Sequence, residues 1–242
     1  MTFLRRFLST HFGSRKGSPC QGLDDILPPE IKDDSFYRIM MEIVARAGIH
    51  NILEIGSSSG AGSTEALVQG SLRNQKHPIL HCIEISKTRF AALLDRYRDL
   101  EFVKCYNISS VPIEKFPTYG QVEYFYRTVK SPLRRVPLEK VLHWLDQDIA
   151  YLRQHNLSTT GIKHIKETNK LELFDAVLID GSEFTGPAEL DEVYGAKYLF
   201  LDDILTFKNF SNYLRLLKDP HYQLIKKSRW LRNGCAVFER IA

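Results

Sequence analysis

At 242 residues, with 43% hydrophobic and 26% charged side chains, the chain has the size and balance of one large globular α/β domain. Its four cysteines (Cys20, Cys82, Cys105, Cys235) are scattered without a CxxC pair, which argues against a zinc site or disulfide framework and favours a reducing, cytoplasmic setting. The net charge of +4 comes from Arg5, Arg6, Arg15 and Lys16, all ahead of the first acid; the other 29 bases balance 29 acids, so no nucleic-acid-binding surface is expected.

In chain order, residues 1–32 read as a basic, loosely ordered arm, broken by Gly13, Gly17, Pro19, Gly22, Pro28 and Pro29. Its opening MTFLRRFLSTHFG could lie on a membrane surface or a partner, although a frayed basic terminus is the simpler reading. Arginines interrupt every apolar run there, which disfavours a secretory signal. No stretch in the chain approaches the roughly 18 apolar residues of a membrane span. The ordered domain, 33–242, should begin at Asp33-Asp34-Ser35, an N-cap cluster, with a helix carrying Phe36, Ile39, Met40, Ile43, Val44 and Ala47 on one face and stopping at Gly48.

Strand and helix patterns then alternate: strand 51–55, helix 63–69, strand 79–84, helix 87–97, strand 101–105. After an irregular stretch come helix 160–170, strand 174–180, helix 187–194, strand 197–201 and helix 209–217. Such alternation predicts a Rossmann-like, doubly wound, mostly parallel sheet. A C-terminal antiparallel hairpin, 222–225 and 235–240, should close it at Asn233-Gly234, giving seven strands. Residues 109–157 read as an insertion near the mouth of a site, either a lid or dimer arm or a structural elaboration. It contains an aromatic and proline-rich stretch and then a helix with Leu138, Val141, Leu142, Leu145, Ile149 and Leu152 on one face.

The motif with the most chemistry is NILEIGSSSGAGST, residues 51–64: a buried strand, a loop of small residues, then a helix start. Small residues let backbone approach a ligand, and free amides at a helix start present donors. The spacing Glu54-x-Gly56-x-Ser58-x-Gly60 differs from the G-x-G-x-x-G of nicotinamide enzymes. It resembles the first motif of class I S-adenosylmethionine (SAM)-dependent methyltransferases, with Ser58 at the middle glycine, a variant that fits if Ser58 keeps a negative φ. The resemblance makes Glu54, Gly56, Ser57, Ser58, Gly60 and Ser63 cofactor-binding residues. Glu84, ending the second strand thirty positions after Glu54, would be the acid that grips the ribose hydroxyls. A helix-capping role at Ser86–Lys87 is the alternative for Glu84.

Asp180 should end the fourth strand, with Asp202 and Asp203 ending the fifth beside it. Three carboxylates at one sheet edge repel, and Mg²⁺ with oxygen ligands would relieve this while activating an acceptor hydroxyl. The pattern resembles the metal-dependent O-methyltransferases of the catechol and macrocin types, and the DGSEFTG…LFLDDI stretch looks like class I methyltransferases grouped with natural-product and sugar-modifying enzymes. The resemblance covers roughly residues 50–105 and 174–206. It implies a SAM-dependent methyltransferase of a small-molecule acceptor, O-methylating, with or without Mg²⁺ assistance. It makes Asp180 and Asp203 catalytic and Asp180, Asp202 and Asp203 metal ligands; helix capping by the acid pair is the alternative. Weaker candidates are His164 and Glu183 as bases, Tyr119, Tyr124, Phe125 and Tyr126 as a substrate wall, and Arg127, Lys130, Arg134 and Arg135 as an anion site. Two rival readings stay open: another metal-dependent or nicotinamide enzyme on this scaffold, and a non-catalytic interaction protein. Homo-oligomerisation is open as well.

Overall fold

The computed structural model describes residues 21–157 and 160–242. The opening basic segment, residues 1–13, and Cys20 lie outside them. In chain order the elements are α1 (Ser35–Val44), β1 (Asn51–Ile55), α2 (Ser63–Arg73), β2 (Ile79–Ile83), α3 (Lys87–Tyr97), β3 (Val103–Tyr106), α4 (Tyr119–Thr128), α5 (Leu138–Gln154), α6 (Gly161–Asn169), β4 (Ala176–Ile179), α7 (Gly186–Val193), β5 (Tyr198–Asp202), α8 (Phe210–Lys218), β6 (Tyr222–Ser228) and β7 (Cys235–Arg240). The seven strands form one sheet in the order β3-β2-β1-β4-β5-β7-β6, parallel except where β7 pairs antiparallel with β5 and β6. This is the Rossmann-like, mostly parallel sheet with a C-terminal hairpin that the alternation predicts.

Because successive strand residues face opposite ways, each strand feeds two cores. Ile52, Leu80, Leu178, Phe200 and Val237 pack with Phe36, Met40, Ala66, Leu67 and Leu93 from α1, α2 and α3. Their neighbours Leu53, Val177, Leu199 and Phe238 pack with Ile162, Ile165, Leu190, Val193 and Leu216 from α6, α7 and α8. The switch point of the sheet lies between β1 and β4, where connections leave in opposite directions and a crevice opens at the carboxyl ends of the strands.

Four boundaries differ from the sequence expectation for identifiable reasons. Helix α2 runs past Gln69 to Arg73. Gly70 reads as a stop signal but is a contact glycine: a methyl there would lie 2.7 Å from Met41 O on α1. Helix α4 hides in the aromatic stretch, started by a capping box in which Thr118 and Gln121 bond each other's backbone. Residues 229–234 connect β6 and β7, so Asn233-Gly234 ends a longer loop rather than forming a two-residue turn. Finally, the expected loose arm is in place from residue 21: Ile31 is buried, and Asp24 accepts hydrogen bonds from Ser86 Oγ and Tyr151 Oη, both 2.8 Å. Among the described residues, no helix is long and apolar enough to cross a membrane.

Candidate functional site

A cleft of about 320 Å³ opens at the switch point, within the range of small-molecule sites. Its floor is the loop after β1, where Gly56, Ser57, Ser58, Ser59 and Ser63 line it. Gly56 has φ +90°, and a methyl on it would lie 2.2 Å from Asp180 O, so glycine alone lets this loop cross the end of β4. Ser57 Oγ is buried among these residues with no hydrogen-bond partner. Ser58 has φ +50°, not the negative value expected for a serine at a glycine position. It holds the left-handed conformation that glycine adopts freely and L-residues adopt at a cost of roughly 1–2 kcal/mol. Ser58→Gly is therefore expected to stabilise the protein by about 0.5–1 kcal/mol after the extra freedom of the unfolded glycine is subtracted. Thermal unfolding should show this as a rise in Tm of about 1–4 °C.

Glu84 closes the adjacent wall, almost fully buried yet lining the cleft. Its two carboxylate oxygens accept from Ser58 N and Ser86 N, each at 2.7 Å. One carboxylate thus ties the β1 loop to the start of α3. Burial raises its pKa, against those two amide bonds. Each oxygen keeps a second lone pair, so acceptor capacity for hydroxyls remains.

Two expected cofactor residues stand behind the loop rather than in the cleft. Glu54 alternates towards the α2 face of the sheet, fully buried, and takes a 2.7 Å bond from Thr64 Oγ1. Burial pushes its pKa up, and Oε1 has no partner. Gly60 packs under α3, where a methyl would come within 2.6 Å of Tyr97. Both shape the loop from beneath.

The far end of the cleft is charged. Asp180, Asp203 and Lys208 line it, with Asp148 from α5 and Glu189 from α7. Lys208 Nζ lies 2.8 Å from Asp180 Oδ1 and 2.9 Å from Asp203 Oδ2. Burial acts to lower the ammonium's pKa, but the facing carboxylates outweigh it and hold it well above the usual value. Asp202 and Asp203 are neighbours in sequence but have different cationic partners. Asp203, at φ +57°, faces the cleft and accepts from Asn233 Nδ2 at 3.0 Å. Asp202 faces α1 and is bonded by Arg232, which also reaches Asp34. Burial raises Asp148 to about 6, opposed by its bond from Ser182 and by Lys208. Burial and Asp203 raise Glu183, behind Lys208, to about 7.

No family model and no curated protein matches the sequence. Among solved structures, the O-methyltransferase from Bacillus cereus in complex with SAH superposes with a TM-score of 0.54 at 14% identity, over 94% of this chain and 92% of that one. The O-methyltransferase TomG from Streptomyces achromogenes, involved in tomaymycin synthesis and in complex with SAM, gives 0.52 at 12% identity, over 94% and 92%. A methyltransferase from Geobacter sulfurreducens gives 0.51 at 10%, over 87% and 82%. The chain has the Rossmann-like fold of these methyltransferases.

Within that fold the residues around the cleft sort by whether they fit the groups expected of it. For SAM the fit is good: the small-residue loop and the Glu84 carboxylate line one cavity from adjacent strand ends, and Glu84 keeps acceptor capacity there. For a divalent metal it is poor. One ligand atom from each of Asp180, Asp202 and Asp203 does fall within 4.8 Å of the others. The space between Asp180 and Asp203 is taken by the Lys208 ammonium, however, and both oxygens of Asp202 are engaged by Arg232 Nε at 3.1 and 3.0 Å. The carboxylate repulsion that suggested magnesium is relieved here by two side-chain cations, buried Lys208 and half-buried Arg232.

The other sequence candidates lie elsewhere. His164 is exposed on α6. Tyr124 is exposed, Phe125 packs against Phe207 and Phe210, and Tyr126 Oη bonds Val136 O. Tyr119 Oη bonds Asp146 at the surface. Arg127 pairs with Glu123, Arg134 bonds the carbonyls of Tyr126 and Arg127, and Lys130 and Arg135 are solvated. The insertion does wall the cleft, through Phe116, Asp148 and Leu152. Sequence reasoning missed Asp148, Glu189 and Lys208. For Asp148 a signal existed, an acid beside the apolar stripe of α5. For Lys208, five residues past the acid pair in a turn, there was none.

Proposed function

We propose that this protein is a SAM-dependent methyltransferase that O-methylates a small-molecule acceptor. The observation that carries the reading is the cavity shared by Glu84 and the Gly56–Ser59 loop, with a charged acceptor end at Asp148, Asp180, Asp203 and Lys208. The structural neighbours crystallised with SAM or SAH have the same fold. SAM supplies an electrophilic methyl on a sulfonium. The chain's own work is to hold the acceptor in line, which in ideal cases is worth roughly 7–11 kcal/mol of barrier, and to take its proton. Glu84 and the β1 loop would hold SAM, whose methyl would pass to the acceptor oxygen with a neutral thioether left behind, and the Asp148 carboxylate at the cleft wall is placed to take the hydroxyl proton. A carboxyl raised to about 6 by burial is ionised at neutral pH yet basic enough for that task.

Calorimetry with SAM and SAH tests the first half of this reading, and SAH release over a panel of phenols and sugar hydroxyls tests the second. Absence of binding to either compound sinks it. Asp148→Asn should lower turnover about a hundredfold while raising stability. The folded Asp148 carboxyl holds its proton up to about pH 6, whereas the unfolded one releases it near 4. The folded state therefore binds more protons across that window, and this group's contribution falls as pH rises through it. The variant's advantage in Tm should be absent at pH 4, grow to pH 6 and stay level above.

A further inference from the structure

We propose that the Lys208 ammonium is this site's built-in cation, taking the place of a divalent metal between Asp180 and Asp203 and offering a remaining N–H to the acceptor oxygen. The inference rests on the methyltransferase reading for the acceptor's identity, but not for the cation's place.

Three sets of contacts fix the ammonium. The first is the pair of carboxylates, at 2.8 and 2.9 Å, which take two of its three donors. The second is the backbone that carries it. Lys208 N donates to Glu183 Oε1 at 3.3 Å, and Lys208 O lies so close to Gly186 that a methyl there would overlap it at 1.9 Å. The next residue, Asn209, is buried and donates to Ile179 O on β4 and Asp202 O on β5 at 2.9 and 2.6 Å. The turn is therefore nailed to the ends of the two strands that supply the acids. The third is burial: Lys208 is only 7% exposed, and what remains accessible faces the cleft.

Each of these carboxylates then has a cationic partner without a metal. Asp203 and Asp180 share Lys208, and Asp202 and Asp34 share Arg232. A magnesium ion needs oxygen ligands at about 2.0–2.1 Å in near-octahedral array. It could reach Asp180 and Asp203 together only after Nζ left. Displacing a buried lysine would part its ammonium from both carboxylates or force it to lose its proton, and either is costly. The ammonium gives the acceptor what a cation would: a fixed positive charge and a directed donor for an oxygen that grows negative as its proton leaves.

The test uses Mn²⁺ as the probe, read by the loss of its free aqueous electron paramagnetic resonance signal, on full-length protein saturated with SAH. Wild type is expected to leave Mn²⁺ free up to millimolar concentration, and its turnover to be unchanged by EDTA. Lys208→Ala and the more conservative Lys208→Met should each bind about one Mn²⁺ per chain, at least tenfold more tightly than wild type. Circular dichroism selects whichever variant keeps the wild-type spectrum. Stoichiometric Mn²⁺ binding by wild type, or folded variants as indifferent to Mn²⁺ as wild type, overturns the proposal. SAH calorimetry on the same samples separates the outcomes. Failure to bind SAH condemns the methyltransferase reading, while the Mn²⁺ result still judges Lys208.

Discussion

Glu84→Ala should weaken SAM and SAH binding by about a thousandfold. A buried carboxylate accepting both ribose hydroxyls makes two charge-assisted hydrogen bonds, each contributing about 1.5–3 kcal/mol. The wild-type carboxylate also holds Ser58 N and Ser86 N at 2.7 Å, so its loss frees the β1 loop as well as the ligand. Glu84→Gln separates the two roles. The glutamine keeps one acceptor oxygen for one amide and presents an NH₂ to the other, so it should bind SAH more weakly than wild type and more tightly than alanine. Calorimetry reads both variants. Normal SAH affinity in Glu84→Ala would remove the ribose assignment and leave Glu84 as a loop clasp alone.

Arg232→Met should cost about 3–5 kcal/mol of stability, the usual penalty for leaving a buried charge without its partner. Asp202 is 2% exposed, and both its oxygens are bonded by the Arg232 guanidinium, which also reaches the Asp34 carboxylate that caps α1. The guanidinium sits 5.7 Å above the Phe36 ring as well, and methionine preserves that apolar contact better than alanine. The expected fall in Tm is roughly 6–20 °C. The double variant Arg232→Met/Asp202→Asn should regain part of the loss, because the stranded charge is then gone. Equal melting of the single and double variants would mean that the pair contributes little. SAH affinity should survive in both, since the pair faces away from the cleft.

The contrast between Asp202 and Asp203 shows how far the sequence could be read. Apolar runs and helical spacing were enough for the sheet, its parallel order and the antiparallel closure, because each of those follows from which residues must be buried. They also placed Glu84 and the Gly/Ser loop at neighbouring strand ends. What the pattern could not supply was the partner of each acid. The sequence places both aspartates at the end of β5, but only the folded chain shows that one meets Arg232 and the other Lys208, respectively 30 and 5 residues away in sequence. The sign of φ at Ser58 was equally illegible, since it depends on the backbone crossing of β1 and β4 fixed at Gly56. Asp148 came from a segment that local periodicity could recognise as helix but could not orient towards the cleft.

The order of the strands has a consequence for how the molecule is made. β7 lies between β5 and β6, so the segment synthesised later must slot in beside a strand that emerged more than thirty residues before it. Until it does, the edge of β5 is bare, and Asp202 and Asp203 lack Arg232 and Asn233, which lie in the loop just ahead of β7. A nascent chain halted before residue 232 would therefore carry an open sheet edge, a recognised route to wrong pairing between chains. Maturation of the acceptor end is thus tied to the arrival of the final hairpin, and a ribosome-stalled fragment of that length should be a substrate for chaperones rather than a partly active enzyme.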